Sequence, residues 1–303
     1  MNTSAMPDAV PLGDGVALSP IVAGAWRLAE WGWDVPQRLR WIEQALDLGV
    51  SSFDHADIYG GYTVEALFGE ALAAAPGLRQ SLQIVSKCGI KLVSAHRPGH
   101  AIKSYDSSRA HVLASVDASL QALRTDHIDL LLIHRPDHLM DPDELADTFV
   151  QLKAAGKVRA VGVSNHRPSQ LAMLHRRHAL ATQQIELSPL QMQALDDGTL
   201  DQCVDLGLRP MIWSPLGGGR LFTGTDQQAL RVRAALAALA AQHGVSVATV
   251  AYAWILRHPS RPLPITGSHR IEALAEAVAA LSLRLSAEDW YRVWQASTGH
   301  EVA

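Results

Sequence analysis

The sequence predicts an α/β protein, a (β/α)8 TIM barrel with an N-terminal β-hairpin and long loops at the strand ends. Three observations lead to this fold class. The chain has 303 residues, an ordinary length for such a barrel. About eight short apolar runs alternate with segments of helical periodicity, which is typical of parallel strands joined by crossover helices. No stretch rich in serine, glycine and proline divides the chain, so we expect a single domain over residues 1–303.

Each predicted element rests on a local pattern: strands are short apolar runs, and helices carry apolar side chains three and four residues apart. In chain order, the predicted strands are residues 19–26, 51–54, 82–89, 128–134, 158–165, 183–188, 208–214 and 262–267. The predicted helices are residues 36–49, 63–75, 106–123, 142–155, 168–178, 199–206, 227–242, 247–257, 271–281 and 287–295. Beyond the opening segment no hairpin signal joins two strands. The loops 89–105 and 216–225 are long, as elements that cover a substrate or cofactor usually are.

Composition and charge exclude several classes of function. The formal net charge of −4 gives no basic field for a nucleic acid. Residues 1–15 lack the basic and apolar regions of a signal peptide, and no apolar run reaches the roughly 18 residues that span a bilayer. Cys88 and Cys203 make neither a disulfide framework nor a paired metal motif. We therefore expect a cytoplasmic protein that acts on a small molecule, with no nucleic-acid or membrane partner; the sequence predicts no particular oligomeric state.

Side chains that can carry chemistry fall at the predicted strand ends. The stretch FDHADIYGGY, residues 53–62, places Asp54 at the end of the second strand and Tyr59 in the turn after it. Lys87 lies in the third strand and His134 ends the fourth. Strand ends of a parallel barrel meet at one face, so these four side chains are expected to converge there.

Elementary chemistry suggests a role for each of the four. A buried lysine needs a carboxylate, which Asp54 can supply to Lys87. A cation near a phenol favours the phenolate, so we expect the pKa of Tyr59 to lie below its usual value of about 10. Such a tyrosine suits proton donation near neutral pH, and His134 suits a hydrogen bond to a substrate oxygen. No nucleophile has a base beside it, so the set favours proton donation coupled to hydride transfer from a cofactor.

Six motifs give the chain a strong resemblance to a known family. In order they are FDHADIYGGY, VSKCGIK, DLLLIHRPD, GKVRAVGVSN, QIELSPL and WSPLGGG. The sequence resembles the aldo-keto reductase superfamily, in particular a bacterial oxidoreductase branch, over nearly its whole length. The resemblance implies reduction of an aldehyde or ketone to an alcohol by NAD(P)H, on a TIM barrel and without a metal.

The resemblance also implies a role for individual residues. The catalytic set is Asp54, Tyr59, Lys87 and His134, with Tyr59 as proton donor, Lys87 and Asp54 tuning it and His134 orienting the carbonyl. The implied cofactor-binding residues are Gly24, Trp26, Ser164, Asn165, Gln184, Trp213, Ser214, Leu216, Gly218, Arg220, Gly267, Ser268, Arg270 and Glu276. Among these, Ser268 and Arg270 match the segment that binds the adenosine 2′-phosphate, which favours NADP(H) as the cofactor over NADH.

Three alternatives accompany this interpretation. Trp31 and Trp33, with His138, are candidates for the substrate pocket, although the two tryptophans would also suit a hydrophobic lid on the barrel rim. The same barrel could serve as an NADP(H)-binding regulatory or redox-sensing subunit with little turnover. A metal-dependent hydrolase with a metal site of Asp54, His55 and His134 is disfavoured, because adjacent strand residues such as Asp54 and His55 point to opposite faces.

Overall fold

The computed structural model describes residues 8–303, and its central sheet is a closed barrel of eight parallel strands with helices between them. This confirms the predicted (β/α)8 TIM barrel. Residues 1–7 lie outside the described residues. The prediction about a signal peptide, which concerns residues 1–15, falls partly on them.

Successive barrel strands pair in chain order, as right-handed crossovers produce. The strands are β1 (Val10–Gly13), β2 (Val16–Leu18), β3 (Val22–Gly24), β4 (Ser52–Asp54), β5 (Gln83–Cys88), β6 (Ile90–Lys91), β7 (Ser104–Tyr105), β8 (Ile128–Ile133), β9 (Val158–Ser164), β10 (Gln183–Glu186), β11 (Met211–Trp213) and β12 (Leu263–Thr266). β3, β4, β5 and β8 to β12 form the barrel, and β1 with β2 forms the predicted N-terminal hairpin. The hairpin turn, Asp14 and Gly15, has φ angles of 51° and 73°, the handedness that two-residue hairpin turns favour.

Several helices begin at a capping residue whose side chain accepts a hydrogen bond from the first turn. The carboxylate of Asp34 accepts a hydrogen bond from the amide of Gln37, and the side-chain oxygen of Gln37 accepts one from the amide of Asp34. This reciprocal pair is a capping box at the start of the first helix. The helices are α1 (Val35–Asp47), α2 (Val64–Ala74), α3 (Arg109–Leu123), α4 (Pro142–Ala154), α5 (Pro168–His175), α6 (Gln193–Asp196), α7 (Thr199–Asp205), α8 (Arg220–Thr223), α9 (Gln227–His243), α10 (Val247–Leu256), α11 (Ile271–Ala279) and α12 (Ala287–Thr298). No single helix among the described residues is long and apolar enough to cross a membrane; α9 and α10, bent by 96°, pass that test only as a pair.

The structure corrects two sequence-based expectations. A second hairpin does follow the opening one, because β6 and β7 pair antiparallel inside the predicted loop 89–105. The predicted loop 216–225 contains a 3-10 turn, Gly217–Gly219, and the short helix α8. Both elements are too short, at two to four residues, for a periodic pattern to reveal them.

The chain divides into two compact units. One contains residues 8–184 with Gly267–His269, and the other contains Ile185–Thr266 with Arg270–Ala303. The prediction of a single domain over residues 1–303 stays a prediction. In the first unit, β4 pairs with β3 and β5, so that Asp54 lies opposite Gly24 on one side and Val85 on the other.

In the first unit, α2 and α3 approach each other closely at Gly69. A Cβ atom on Gly69 would lie 2.1 Å from the carbonyl oxygen of Ala122 in α3, so no side chain fits there. Because α2 directly follows the turn that carries Tyr59, this approach fixes the helix that continues from the turn.

In the second unit, two tryptophans bind each other reciprocally across α10 and α12. The rings of Trp254 and Trp290 are stacked, with centroids 4.9 Å apart and an angle of 8° between the planes. Each indole N–H donates to the other residue's backbone carbonyl, at 3.0 Å from Trp254 and 3.1 Å from Trp290. Buried indoles need such a partner for their N–H, so the pair fastens the last helix by stacking and by two hydrogen bonds.

We predict that Trp290→Phe lowers the free energy of unfolding by about 1–3 kcal/mol. The variant removes one of the two hydrogen bonds and reduces the stacked area. Tyr291→Phe is the matched control, because Tyr291 is exposed and its ring contact with Trp290 is kept; it should change stability by less than about 0.5 kcal/mol. Chemical denaturation measures both, and equal losses in the two variants would contradict the assignment.

His55 is buried with an uncharged ring in the core of the first unit. Its exposed fraction is 0% and its ring lies edge-on to Phe68, with centroids 4.4 Å apart. Neither ring nitrogen has a hydrogen-bond partner among the described residues. Burial, with a smaller contribution from the charge of Lys87, lowers the pKa of His55 to about 3.

Acid should therefore destabilise the protein through His55. In the unfolded chain a histidine takes up its proton at a pKa of about 6.5, whereas the folded imidazole does so only near pH 3. Because the unfolded state binds the proton first, the free energy of unfolding falls as the pH drops between these values, by at most about 1.4 kcal/mol per pH unit. Burial also lowers the pKa values of His134 and His166, so these residues add to the slope. His55→Leu should remove only the contribution of His55, measured by denaturation between about pH 6 and pH 4. Phe68→Leu, which perturbs the same packing without a titrating group, should keep it.

Candidate active site

A buried ion pair lies at the ends of β4 and β5. Lys87 is 1% exposed and Asp54 is 3% exposed. The Nζ atom of Lys87 donates to Oδ2 of Asp54 at 2.7 Å and to the backbone carbonyl of His55 at 2.7 Å. Its third contact is the hydroxyl of Tyr59, at 3.0 Å. An ammonium group has three protons to donate, and three acceptors surround this one.

The phenol of Tyr59 is carried by a 3-10 turn, Tyr59–Gly61, that begins five residues after the end of β4. The amide of Tyr59 donates to the carbonyl of Ala56 at 3.1 Å, and Gly60 and Gly61 continue the turn with φ angles of 58° and 65°. These angles favour glycine, as the YGGY sequence provides. The turn places the half-buried ring so that its hydroxyl meets Lys87 and its edge faces His134.

The structure overturns the expectation that Lys87 brings the pKa of Tyr59 below its usual value. Burial raises the pKa of the Tyr59 phenol above 10, and the opposing effect of Lys87 does not reverse it, partly because Asp54 acts in the same direction as burial. The expectation took account of the charge of Lys87, which lowers the pKa, but not of the lost hydration of the buried phenol, which raises it. The consequence is that the phenol holds its proton throughout the neutral range, which is the form a proton donor needs.

Lys87 stays charged despite its burial. Burial, the largest single influence, acts to lower the pKa of Lys87, but Asp54 and Tyr59 outweigh it and raise the pKa above its usual value. A lysine cation that faces the phenol oxygen stabilises negative charge on that oxygen once the proton has left.

His134 directly follows β8, and its amide donates to the carbonyl of Cys88 at 2.9 Å. Its ring meets that of Tyr59 nearly at right angles, with centroids 6.0 Å apart. Burial, together with the positive charges of Lys87, Arg135 and Lys103, holds the pKa of His134 well below 6.5. The imidazole is therefore neutral, with one N–H to donate.

Gln184 is part of this hydrogen-bonded set, a contact that sequence reasoning missed. Its Nε2 donates to Oδ1 of Asp54 at 2.8 Å, so both carboxylate oxygens of Asp54 are bound, one by Gln184 and one by Lys87. The sequence had placed Gln184 only with the nicotinamide carboxamide. No spacing rule links β10 to β4, and the signal available was a pair of glutamines, Gln183 and Gln184, in a predicted barrel strand.

The other predicted cofactor residues of the first unit lie at or just beyond strand ends. Gly24 ends β3 and Trp26 follows it, 55% exposed with Arg27 over its ring. Ser164 ends β9, and its hydroxyl accepts a hydrogen bond from Asn165 at 2.7 Å. Gly267 and Ser268 follow β12, and Gly267 has open space where a Cβ would be.

The predicted cofactor residues of the second unit follow β11 and β12. Trp213 ends β11, and Ser214 adopts a left-handed conformation, φ 51°. Leu216 precedes three glycines, of which Gly218 has φ 63° and open space at its Cβ position. The guanidinium of Arg220 forms two hydrogen bonds to Asp226, at 3.1 and 2.7 Å, and so already has an anionic partner.

The remaining two residues of that set lie at the start of α11 and within it. Arg270 precedes the helix at its N-cap position, and Glu276 lies within it, where its backbone carbonyl accepts a hydrogen bond from Thr249.

The candidate pocket residues separate into two groups. Trp31 and Trp33 are half-buried, with ring centroids 4.8 Å apart, and both rings contact His269, at 6.0 and 6.3 Å. His138, in contrast, is exposed after β8. Sequence reasoning missed His269, which places the segment after β12 against the two tryptophans. Among the described residues, no group of three or more histidine, cysteine or acidic side chains could hold a metal ion.

Known proteins resemble the chain over nearly all of its length. Residues 20–297 match the model of the aldo/keto reductase family. Oxidoreductase YdhF of Escherichia coli (strain K12) is 50% identical over 95% of this chain and 96% of its own. A 6-dehydroglucose reductase of Agrobacterium fabrum is 41% identical, with coverage of 97% and 99%. The solved glycerol dehydrogenase AKR11B4 from Gluconobacter oxydans superposes with a TM-score of 0.85 at 25% identity, covering 98% of this chain and 97% of that one. The chain is therefore an oxidoreductase that belongs to the aldo/keto reductase family.

Proposed function

We propose that the protein reduces an aldehyde or ketone to an alcohol with NADPH, and that Tyr59 donates the proton. The observation that carries this proposal is the continuous set of contacts from Asp54 through Lys87 to the hydroxyl of Tyr59, with the neutral ring of His134 beside it. A protonated phenol and a neutral imidazole offer two donors to one oxygen atom, which suits a carbonyl that gains negative charge as it is reduced.

Each of these side chains has a distinct task in the proposed reaction. When bound, the reduced nicotinamide supplies a hydride to the carbonyl carbon. Tyr59 gives its hydroxyl proton to the carbonyl oxygen, and Lys87 stabilises the phenolate that remains. Asp54 balances the charge of Lys87 and is itself held by Gln184. His134 donates a hydrogen bond that orients the carbonyl.

The polar groups of the chain fit the proposed cofactor. The hydroxyl of Ser164 and the amide of Asn165 suit a carboxamide, which needs both a donor and an acceptor. The glycines of residues 217–219 have φ angles of 61°, 63° and 99°, and successive backbone amides in such turns form concavities that bind anions. We assign these glycines, with Ser214, Leu216 and Arg220, to the pyrophosphate, and Trp213 to the nicotinamide ring. To meet the pyrophosphate, Arg220 would exchange at least one of its hydrogen bonds to Asp226. Gly24 and Trp26 would lie beneath the cofactor, and Glu276 would meet the adenine.

Tyr59→Phe tests the proton donor. The variant keeps the ring but has no proton to give, so we predict a loss of turnover of at least about a hundredfold, with the dissociation constant for NADPH unchanged. Consumption of NADPH with 4-nitrobenzaldehyde and with a sugar aldehyde measures the rate, and a fluorescence titration measures binding.

Two outcomes of this experiment would contradict the proposal. A Tyr59→Phe variant as active as the wild type would remove Tyr59 from the mechanism. A wild-type protein that binds NADPH but turns over no carbonyl would favour the regulatory or redox-sensing subunit instead.

Ser268 and Arg270 are proposed to bind the 2′-phosphate that distinguishes NADPH from NADH. Ser268→Ala/Arg270→Ala should raise KM for NADPH by about 10- to 100-fold, because charge-assisted hydrogen bonds to a phosphate are lost. KM for NADH should change little. Arg284→Ala, at an exposed arginine of the unit that contains Arg270, is the control for loss of charge alone. Equal changes in the two KM values would contradict the assignment.

A further inference from the structure

The turn that carries Tyr59 ends in a second tyrosine, Tyr62, to which the proposed mechanism assigns no role. The amides of Tyr62 and Thr63 both donate to the carbonyl of Tyr59, each at 3.1 Å, and the amide of Gly61 donates to that of Ile58. Residues 58–63 therefore form one hydrogen-bonded unit. A displacement of Tyr62 is transmitted through these bonds to the backbone of Tyr59.

Tyr62 is held in a conformation that a tyrosine does not adopt freely. Gly60, Gly61 and Tyr62 are three consecutive left-handed residues, with φ angles of 58°, 65° and 77°. For a residue with a side chain this region costs roughly 1–2 kcal/mol. Such a conformation persists only where the surroundings fix it, so contacts of the Tyr62 side chain must offset the cost.

Those contacts come from the β6–β7 hairpin and the loop it encloses. The Tyr62 hydroxyl accepts a hydrogen bond from the amide of Leu92 at 2.8 Å. The carbonyl of Ile90 lies 3.3 Å from the same oxygen, and Nδ1 of His100 lies 3.4 Å from it. The guanidinium of Arg97 covers the ring, with its Cζ 4.6 Å from the ring centroid, a favourable cation–π distance. These contacts with Ile90, Leu92, Arg97 and His100 are called the Tyr62 anchor.

A second bond joins the hairpin loop to the turn. The hydroxyl of Ser94 donates to the carbonyl of Gly61 at 3.0 Å, and a Cβ on Gly61 would lie 3.3 Å from that hydroxyl oxygen. The same loop thus binds the backbone of Gly61 and the side chain of Tyr62. Arg97 and Ser94 also form an isolated β-bridge, which keeps the two contacting residues of the loop together.

The side chain of Tyr59 cannot be anchored through its hydroxyl as that of Tyr62 is, because this hydroxyl takes part in the proposed reaction. The hydroxyl of Tyr59 accepts a hydrogen bond from Lys87 at 3.0 Å, and its ring faces His134. In the proposed reaction the hydroxyl proton has to point to the substrate. Placement of the ring by the backbone leaves the hydroxyl available. Reacting groups depend steeply on such placement: an error of 1 Å can cost about a hundredfold in rate.

We propose that Tyr62 is a positioning residue for Tyr59, and that the Tyr62 anchor holds the catalytic turn in its productive geometry. This inference rests on the proposed role of Tyr59 as proton donor. It assigns to the 89–105 segment a task in the chemical step in addition to any cover it gives to the substrate.

The test is Tyr62→Phe, which keeps the ring and the contact with Arg97 but removes the hydroxyl. We expect kcat to fall about tenfold or more, while KM for NADPH stays within about twofold of wild type. Hydrogen exchange at the Leu92 amide should speed up, because its acceptor is gone. Tyr105→Phe is the matched control: Tyr105 is an exposed tyrosine of the same hairpin, and its variant should change neither kcat nor Leu92 exchange.

A double variant separates positioning from a general loss of structure. In the Tyr59→Phe background, Tyr62→Phe should cause no further loss of the residual rate, because Tyr62 acts through Tyr59. An equal fold loss in both backgrounds would overturn the proposal, and so would an unchanged kcat alongside faster Leu92 exchange. The comparison of Tyr59→Phe with wild type decides the proposed function separately: if those two rates were equal, the function itself would fail.

Discussion

The buried cation of Lys87 is the constraint on which the candidate site depends. A lysine with 1% of its surface exposed has lost its hydration, and an unpaired charge in that position would cost several kcal/mol. Three acceptors replace the water, namely the Asp54 carboxylate, the His55 carbonyl and the Tyr59 hydroxyl. All three come from β4 and the turn after it. The three hydrogen bonds of one ammonium group therefore constrain the conformation of residues 54–59, including the position of the phenol oxygen.

Two opposing influences set the pKa of the Tyr59 phenol. Burial raises the pKa of the phenol and keeps its proton in place, while Lys87 opposes this and lies ready to stabilise the phenolate. Neither influence alone would give a good donor at neutral pH. A phenol with only the cation would lose its proton too early, and a phenol with only burial would give a poorly stabilised anion.

The barrel and the positions of the four central residues followed from local patterns, because apolar runs and helical periodicity depend on neighbouring residues only. The features that were not predicted depend on distant parts of the chain or on elements too short to show a pattern. The contact of Gln184 with Asp54 joins residues 130 positions apart. The direction of the Tyr59 pKa shift depends on how deeply the folded protein buries the ring. The β6–β7 hairpin has strands of two residues, below the length at which alternation can be recognised.

The close contact of three indole rings has a consequence for optical measurements. Trp31 lies 4.8 Å from Trp33 and 5.2 Å from Trp41, centroid to centroid. Rings at such separations are in direct contact, so the electronic environment of each indole depends on its neighbours. His269 touches two of these rings and sits beside Ser268, in the segment assigned to the cofactor phosphate. A change in that segment would therefore alter the surroundings of two of the three indoles.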